Sequence, residues 1–70
     1  MNIIFQLNFE SMSETLKYEI YDTICEAIEA SKLVRVVFDG EDRKDRKVFY
    51  FRHRSEVARS LYGDPLQSAN

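Results

Sequence analysis

The sequence predicts a single α+β domain of order β-α-β-β-α, with a long helix packed on one face of a small three-stranded sheet. Three observations support this fold class. Residues 3–9 alternate apolar and polar side chains at a period of two, as a half-buried strand does. Residues 11–31 place apolar side chains at helical spacing. Residues 33–38 and 47–53 are β-branched and aromatic runs on either side of a charged loop, which predicts an antiparallel β2-β3 hairpin.

The long helix is predicted to begin at Ser11. This serine stands three residues before Glu14, the arrangement in which two side chains satisfy the first free amides of a helix. The carboxylate of Glu14 also lies near the positive end of the helix dipole. The stretch that follows contains neither Gly nor Pro, and we expect the helix to end near Ser31 or Lys32.

This helix has one apolar face and one acidic face. The apolar face is predicted to hold Leu16, Ile20, Tyr21, Ile24, Ala27 and Ile28. The opposite face carries four acids at spacings of three, four and three, which we call the acidic ridge: Glu19, Asp22, Glu26 and Glu29. Like charges at these spacings destabilise a helix by ~0.2–0.5 kcal/mol per pair. We therefore expect the ridge either to be neutralised by the chain's own bases or to bind a basic partner.

The sheet has a second face, opposite the long helix, and what packs on this face is the main structural question that the sequence leaves open. Phe49 and Phe51 are predicted to point at the long helix. The outer face would then carry Ile4, Leu33, Val37, Val48 and Tyr50. Either the terminal helix covers part of this face or the face is a dimer or partner surface, since an apolar patch is rarely left bare.

A short terminal helix is predicted from Ser55, as its cap, to Tyr62. Val57 and Leu61 would be its buried pair, and Gly63 would stop it. Pro65 prevents the helix from continuing. We therefore expect one domain at residues 1–64 and a flexible C-terminal tail at residues 65–70.

Charge is distributed unevenly along the chain. Residues 1–31 hold six acids and one base, whereas residues 32–70 hold nine bases and six acids. The N-terminal residues lack a basic region and their apolar run breaks at Gln6, so we expect no signal peptide and no membrane partner. Cys25 is the one cysteine, which suits a reducing compartment. These features predict a cytoplasmic protein.

The residues that catalysis and metal binding use are scarce. With one His and one Cys, no zinc or nucleophile cluster is expected, and a Cys25–His53 dyad has no local support. The two glycines make no phosphate-binding loop. The acids of the charged loop lack the spacing of a calcium site: Asp39, Glu41, Asp42 and Asp45. We expect no enzyme activity, no cofactor and no metal.

The first hypothesis is therefore a non-catalytic binding module or regulator. It would bind a protein with a basic surface through the acidic ridge or through the outer sheet face. A small inhibitor, for instance one encoded by a phage, would act in this way by resembling a nucleic acid. Homodimerisation through the outer face stays open, because a chain of this size gains stability from association.

The alternative hypothesis is a nucleic-acid-binding module. Its bases would contact phosphates while Tyr50 stacks on a nucleobase, the full set being Arg43, Lys44, Arg46, Lys47, Tyr50, Arg52 and Arg54. The element order with aromatic residues on the third strand is similar to an RNA-recognition motif, although its glycine-containing aromatic signature and fourth strand are missing. A pI near 5.3 opposes a polyanionic partner.

One local resemblance to a regulatory family exists. The segment from Ala27 through Val36-Val37-Phe38-Asp39-Gly40 resembles the helix-to-strand entry of WYL-type regulatory domains. It covers under a third of the chain, and the Trp-Tyr-Leu run is absent. No residue role or activity follows from it.

Overall fold

The computed structural model describes residues 1–41 and 45–63. It contains three strands, two α-helices and one 3-10 turn, in the predicted β-α-β-β-α order. Their bounds are β1 Asn2–Phe5, the 3-10 turn Phe9–Ser11, α1 Glu14–Ala30, β2 Val34–Phe38, β3 Lys47–Phe51 and α2 Arg54–Tyr62. The predicted tail at residues 65–70 lies outside the described residues.

The three strands form one mixed sheet with β2 in the centre. β1 pairs with β2 in parallel, and β3 pairs with β2 in the antiparallel direction, which confirms the predicted hairpin. Val37 is the middle of one cross-strand row, with Ile4 on β1 and Val48 on β3 as its partners. The N–H of Asp39 donates to the carbonyl of Phe5 at 2.8 Å, so the pairing of β1 and β2 continues just past the end of β2.

Both helices pack on the same face of the sheet. One cluster of buried side chains joins α1, α2 and the sheet: Ile20, Ile24, Ala27, Val34, Val36, Phe38, Phe51, Val57 and Leu61. The predicted burial of Val57 and Leu61 is therefore confirmed. Because these two residues lie in the same core as Ile24, α2 does not cover the outer face of the sheet.

The first strand is four residues shorter at its end than its alternation predicts. The Asn8 side chain accepts a hydrogen bond from the N–H of Glu10 at 2.9 Å and opens the 3-10 turn. Such local side-chain bonding competes with strand pairing. Phe9 still reaches the core from this turn, with its ring centroid 5.0 Å from that of Phe38 and 5.3 Å from that of Phe49.

The predicted N-cap of the long helix is wrong by two residues. Ser11 belongs to the 3-10 turn, and the N-cap of α1 is Ser13, whose hydroxyl accepts from the N–H of Leu16 at 3.2 Å. The predicted end is confirmed, since the N–H of Ser31 caps α1 by donating to the carbonyl of Ala27.

The start of α2 also differs from the prediction, by two residues. Arg54 is its first residue and His53 its N-cap, in place of Ser55. The carboxylate of Glu56 accepts hydrogen bonds from the N–H groups of Arg52 and His53 at 2.8 and 2.9 Å. These bonds hold the pKa of Glu56 below its usual value. Gly63 ends the helix, as predicted.

Candidate functional site

The acidic ridge lies on the solvent side of α1. Its four carboxylates are all exposed, while Ile20, Ile24 and Ala27 of the same helix are buried against the sheet. Helical periodicity therefore separates the two faces as the sequence predicts. The ridge points away from the sheet, because the sheet lies on the buried side of α1.

Among residues 1–41 and 45–63, a cation pairs with the ridge at one end only. Glu29 forms an ion pair with Arg54, the first residue of α2. Glu19, Asp22 and Glu26 form no ion pair with any cation in the described ranges 1–41 and 45–63. Three adjacent carboxylates thus remain open to solvent on the middle of α1.

The bases of the predicted basic segment that are described differ in their contacts. Lys47 contacts Glu10 at 3.5 Å, and Arg54 contacts the ridge itself. Arg46 is exposed just before β3. Arg43 and Lys44 lie outside the described residues, as does Asp42.

The outer face of the sheet is apolar and open. Among the described residues no helix lies on it, and the side chains of Ile4, Val48 and Tyr50 are 57%, 40% and 62% exposed. Val37 lies on this face with Ile4 and Val48 as its cross-strand partners, and it is buried. Four of the predicted outer-face residues, Ile4, Val37, Val48 and Tyr50, therefore lie in adjacent cross-strand rows, with Tyr50 the most exposed of them, while Leu33 lies just before β2.

Arg35 is the outer-face residue that the sequence interpretation missed as a functional candidate. It lies on β2 with Asn2 and Tyr50 as its cross-strand partners. The sequence pattern that could have identified it is the alternation along β2, because Val34 and Val36 on either side of Arg35 are both buried on the opposite face. A search for runs of bases overlooks a single arginine on an otherwise apolar strand.

The described residues bring no catalytic group together. Cys25 is buried in α1, and its hydrogen bond with the Tyr21 hydroxyl raises the pKa of that phenol. His53 is exposed at the start of α2. No group of three or more His, Cys, Asp or Glu residues suited to a metal ion occurs in residues 1–41 and 45–63. Every buried side-chain nitrogen or oxygen in those ranges has a hydrogen-bond partner.

A shallow polar cleft lies beyond the carboxyl end of β1. It encloses about 540 Å³ and is lined by Gln6, Leu7, Asn8, Ser11, Glu41 and Asp45. Of its polar side chains, that of Asn8 is already used by the N–H of Glu10. Two exposed carboxylates in an open cleft do not make a ligand site.

Comparison of the chain with protein-family models, with curated proteins and with solved structures found no match. Neither helix in the described part of the chain has the length and apolar character that a membrane crossing requires. Inferences about function therefore rest on the two exposed surfaces, the acidic ridge and the outer sheet face.

Proposed function

We propose that this chain is a non-catalytic binding module that recognises a basic surface of another protein through the acidic ridge. The observation that carries the proposal is the set of three exposed carboxylates on α1, those of Glu19, Asp22 and Glu26, without a cation beside them among the described residues. Like charges at helical spacing weaken a helix, and a cationic partner removes that penalty.

The position of the chain's own bases supports this reading. Lys47 pairs with Glu10, so this residue of the hairpin is turned toward a different acid. Arg54 reaches only the end of the ridge, at Glu29. The middle of α1 therefore keeps a negative field that steers a positively charged surface toward it and that falls with rising salt.

The partner we infer is a protein whose basic surface ordinarily binds a polyanion. A row of carboxylates on a rigid helix offers such a surface the charge spacing that phosphates would offer, and occupying it blocks the polyanion. The module would then regulate by inhibition. Its buried free thiol at Cys25 suits the reducing cytoplasm, where we place it.

The alternative of nucleic-acid binding has weaker support. Two of its bases, Lys47 and Arg54, already contact acids of this chain, which lowers the positive charge left for phosphates. Tyr50 remains available for stacking on the outer face, with Arg35 as its cross-strand neighbour.

Binding to a labelled oligoarginine peptide, followed by fluorescence anisotropy at low and at physiological salt, tests the proposal. The ridge variant carries Glu19→Gln, Asp22→Asn and Glu26→Gln. The control variant carries Glu10→Gln, Glu14→Gln and Glu41→Gln, and so has the same net charge. We expect the ridge variant to lose about tenfold or more in affinity and the control to lose about threefold or less. Equal losses in both variants would show that only net charge matters and would overturn the proposal.

A further inference from the structure

The outer face of the sheet consists of cross-strand rows of unlike character. The central row is apolar, namely Ile4, Val37 and Val48. On one side of it lies the row Asn2, Arg35 and Tyr50. On the other side Asp39, just past the end of β2, and Arg46, just before β3, continue the same alternation. No acid lies in the first two rows.

From this pattern we infer that the outer face binds the outer face of a second copy of the chain. The two-fold axis would lie between the two sheets, perpendicular to the strands, and would pass Val37. Sheets packed in this way bury their apolar rows about 10 Å apart. The exposed side chains of Ile4 and Val48 would then leave water.

The charges on either side of Val37 are complementary under this symmetry. Arg35 and Asp39 each lie two residues from Val37, in opposite directions along the chain, with Asp39 just past the end of β2. The axis therefore places Arg35 of each copy over Asp39 of the other, which makes two equivalent ion pairs. An isologous interface requires this kind of self-complementarity.

The edge strand β3 repeats the relation. Tyr50 and Arg46 each lie two residues from Val48, again in opposite directions. The same axis places the guanidinium of Arg46 over the ring of Tyr50 of the second copy, an arrangement that a cation–π contact favours. The exposed tyrosine thus acquires a defined contact.

The other face-to-face arrangement is disfavoured by charge. A two-fold axis parallel to the strands and through β2 would place Arg35 over Arg35 of the second copy. Like charges in an apolar interface repel strongly. The charge pattern therefore selects the antiparallel arrangement.

This inference goes beyond the proposed function and does not depend on it. In the dimer both helical layers lie outside, so the two acidic ridges would face opposite directions and remain free to bind. A three-stranded face is only about 14 Å wide, given a strand spacing of ~4.8 Å, so the interface is small and the dimer weak.

Sedimentation equilibrium over a wide range of protein concentrations tests the dimer. We expect wild type to pass from monomer to dimer as concentration rises, and Val48→Glu to weaken the association by at least about tenfold. Ile4→Glu provides a second variant on the same row. Tyr18→Glu, which changes an exposed residue of α1, is the matched control and should associate like wild type. Circular dichroism confirms that each variant folds.

A charge exchange tests the arrangement itself. Arg35→Asp alone and Asp39→Arg alone each place like charges over one another and should weaken association by about tenfold. The double variant exchanges the two charges and should restore it to within about threefold of wild type. These variants leave the acidic ridge untouched, so the oligoarginine measurement separates failure here from failure of the proposed function.

Several results would overturn the inference. Wild type that stays monomeric at all concentrations excludes the dimer. A dimer that Val48→Glu leaves intact assigns the contact to another surface, such as a strand edge. Single variants that behave like the double exclude the Arg35–Asp39 pairing. Tight binding of a labelled oligothymidine that Tyr50→Ala removes would assign the outer face to single-stranded nucleic acid instead.

Discussion

Arg54 and Glu29 form an ion pair that joins the start of α2 to the end of α1. Each residue is unfavourably placed with respect to the dipole of its own helix. Arg54 puts a positive charge at the positive end of α2, and Glu29 puts a negative charge at the negative end of α1. The ion pair offsets both unfavourable dipole interactions, because in the described residues each side chain forms its ion pair with the other.

Exchanging these two charges should stabilise the domain. The double variant Glu29→Arg with Arg54→Glu keeps the ion pair and reverses both dipole interactions. We expect the free energy of unfolding to rise by about 1 kcal/mol, since each helix-end charge contributes roughly 0.3–1 kcal/mol. Urea unfolding measures the change. Both single variants, which place like charges together, should be less stable than wild type. If the exchanged protein is no more stable than wild type, the dipole argument is wrong.

The carboxylate of Glu56 makes stability depend on pH. The N–H groups of Arg52 and His53 bond to it and lower its pKa in the folded state. A lowered folded-state pKa contributes stability at pH values above the ordinary glutamate range, and that contribution is lost as pH falls through the folded-state pKa. Glu56→Gln should therefore destabilise the domain at neutral pH, and its difference from wild type should shrink as the solution is acidified. Thermal unfolding as a function of pH measures this. A difference that stays constant would contradict it, and Glu41→Gln on the exposed loop is the control.

Ser13 and Ser11 should respond differently to substitution by alanine. The Ser13 hydroxyl accepts from the N–H of Leu16, whereas Ser11 closes the preceding 3-10 turn. Loss of an N-cap hydroxyl destabilises a protein by about 1 kcal/mol. We expect that loss for Ser13→Ala and a change within about 0.5 kcal/mol for Ser11→Ala, measured by urea unfolding. A larger loss of stability for Ser11→Ala than for Ser13→Ala would show that Ser11 is the N-cap, as the capping-box pattern predicts.

This pair of serines shows where local sequence patterns reach their limit. Both serines stand before the same amphipathic stretch, and the S-x-x-E spacing selects Ser11. Packing of aromatic side chains in the core instead makes Ser13 the N-cap. Phe9 packs against Phe38 and Phe49, so the chain turns at Phe9 and uses Ser11 in that turn. Contacts between residues distant in the chain therefore move the start of the helix by two residues.

The strands and the two helix faces were predictable because each follows a period along the chain. The face of the sheet on which α2 packs was not, since an apolar pair such as Val57 and Leu61 fits either face. The acidic ridge likewise has one feature that the sequence predicts and one that depends on how the helices pack. Periodicity places its four acids together, but only the docking of α2 beside the end of α1 gives Glu29 its cation.

Gly63 should tolerate alanine less well than Gly40. Gly63 has φ 85° and ψ 170°, a conformation available almost only to glycine, while its N–H donates to the carbonyl of Arg59 at 2.9 Å. Among the described residues no atom lies within 4 Å of a Cβ placed at Gly63, so we expect the backbone conformation to set the penalty, about 1–2 kcal/mol for Gly63→Ala in urea unfolding. Gly40 has no positive φ, and a Cβ there would lie 3.0 Å from the Cβ of Asp45 and 3.5 Å from the Cα of Asn8, so the loop backbone at Asp45 must move by a few tenths of an ångström. Gly40→Ala is therefore the control, with a smaller expected loss. Equal losses would mean that the chain after α2 relaxes without strain.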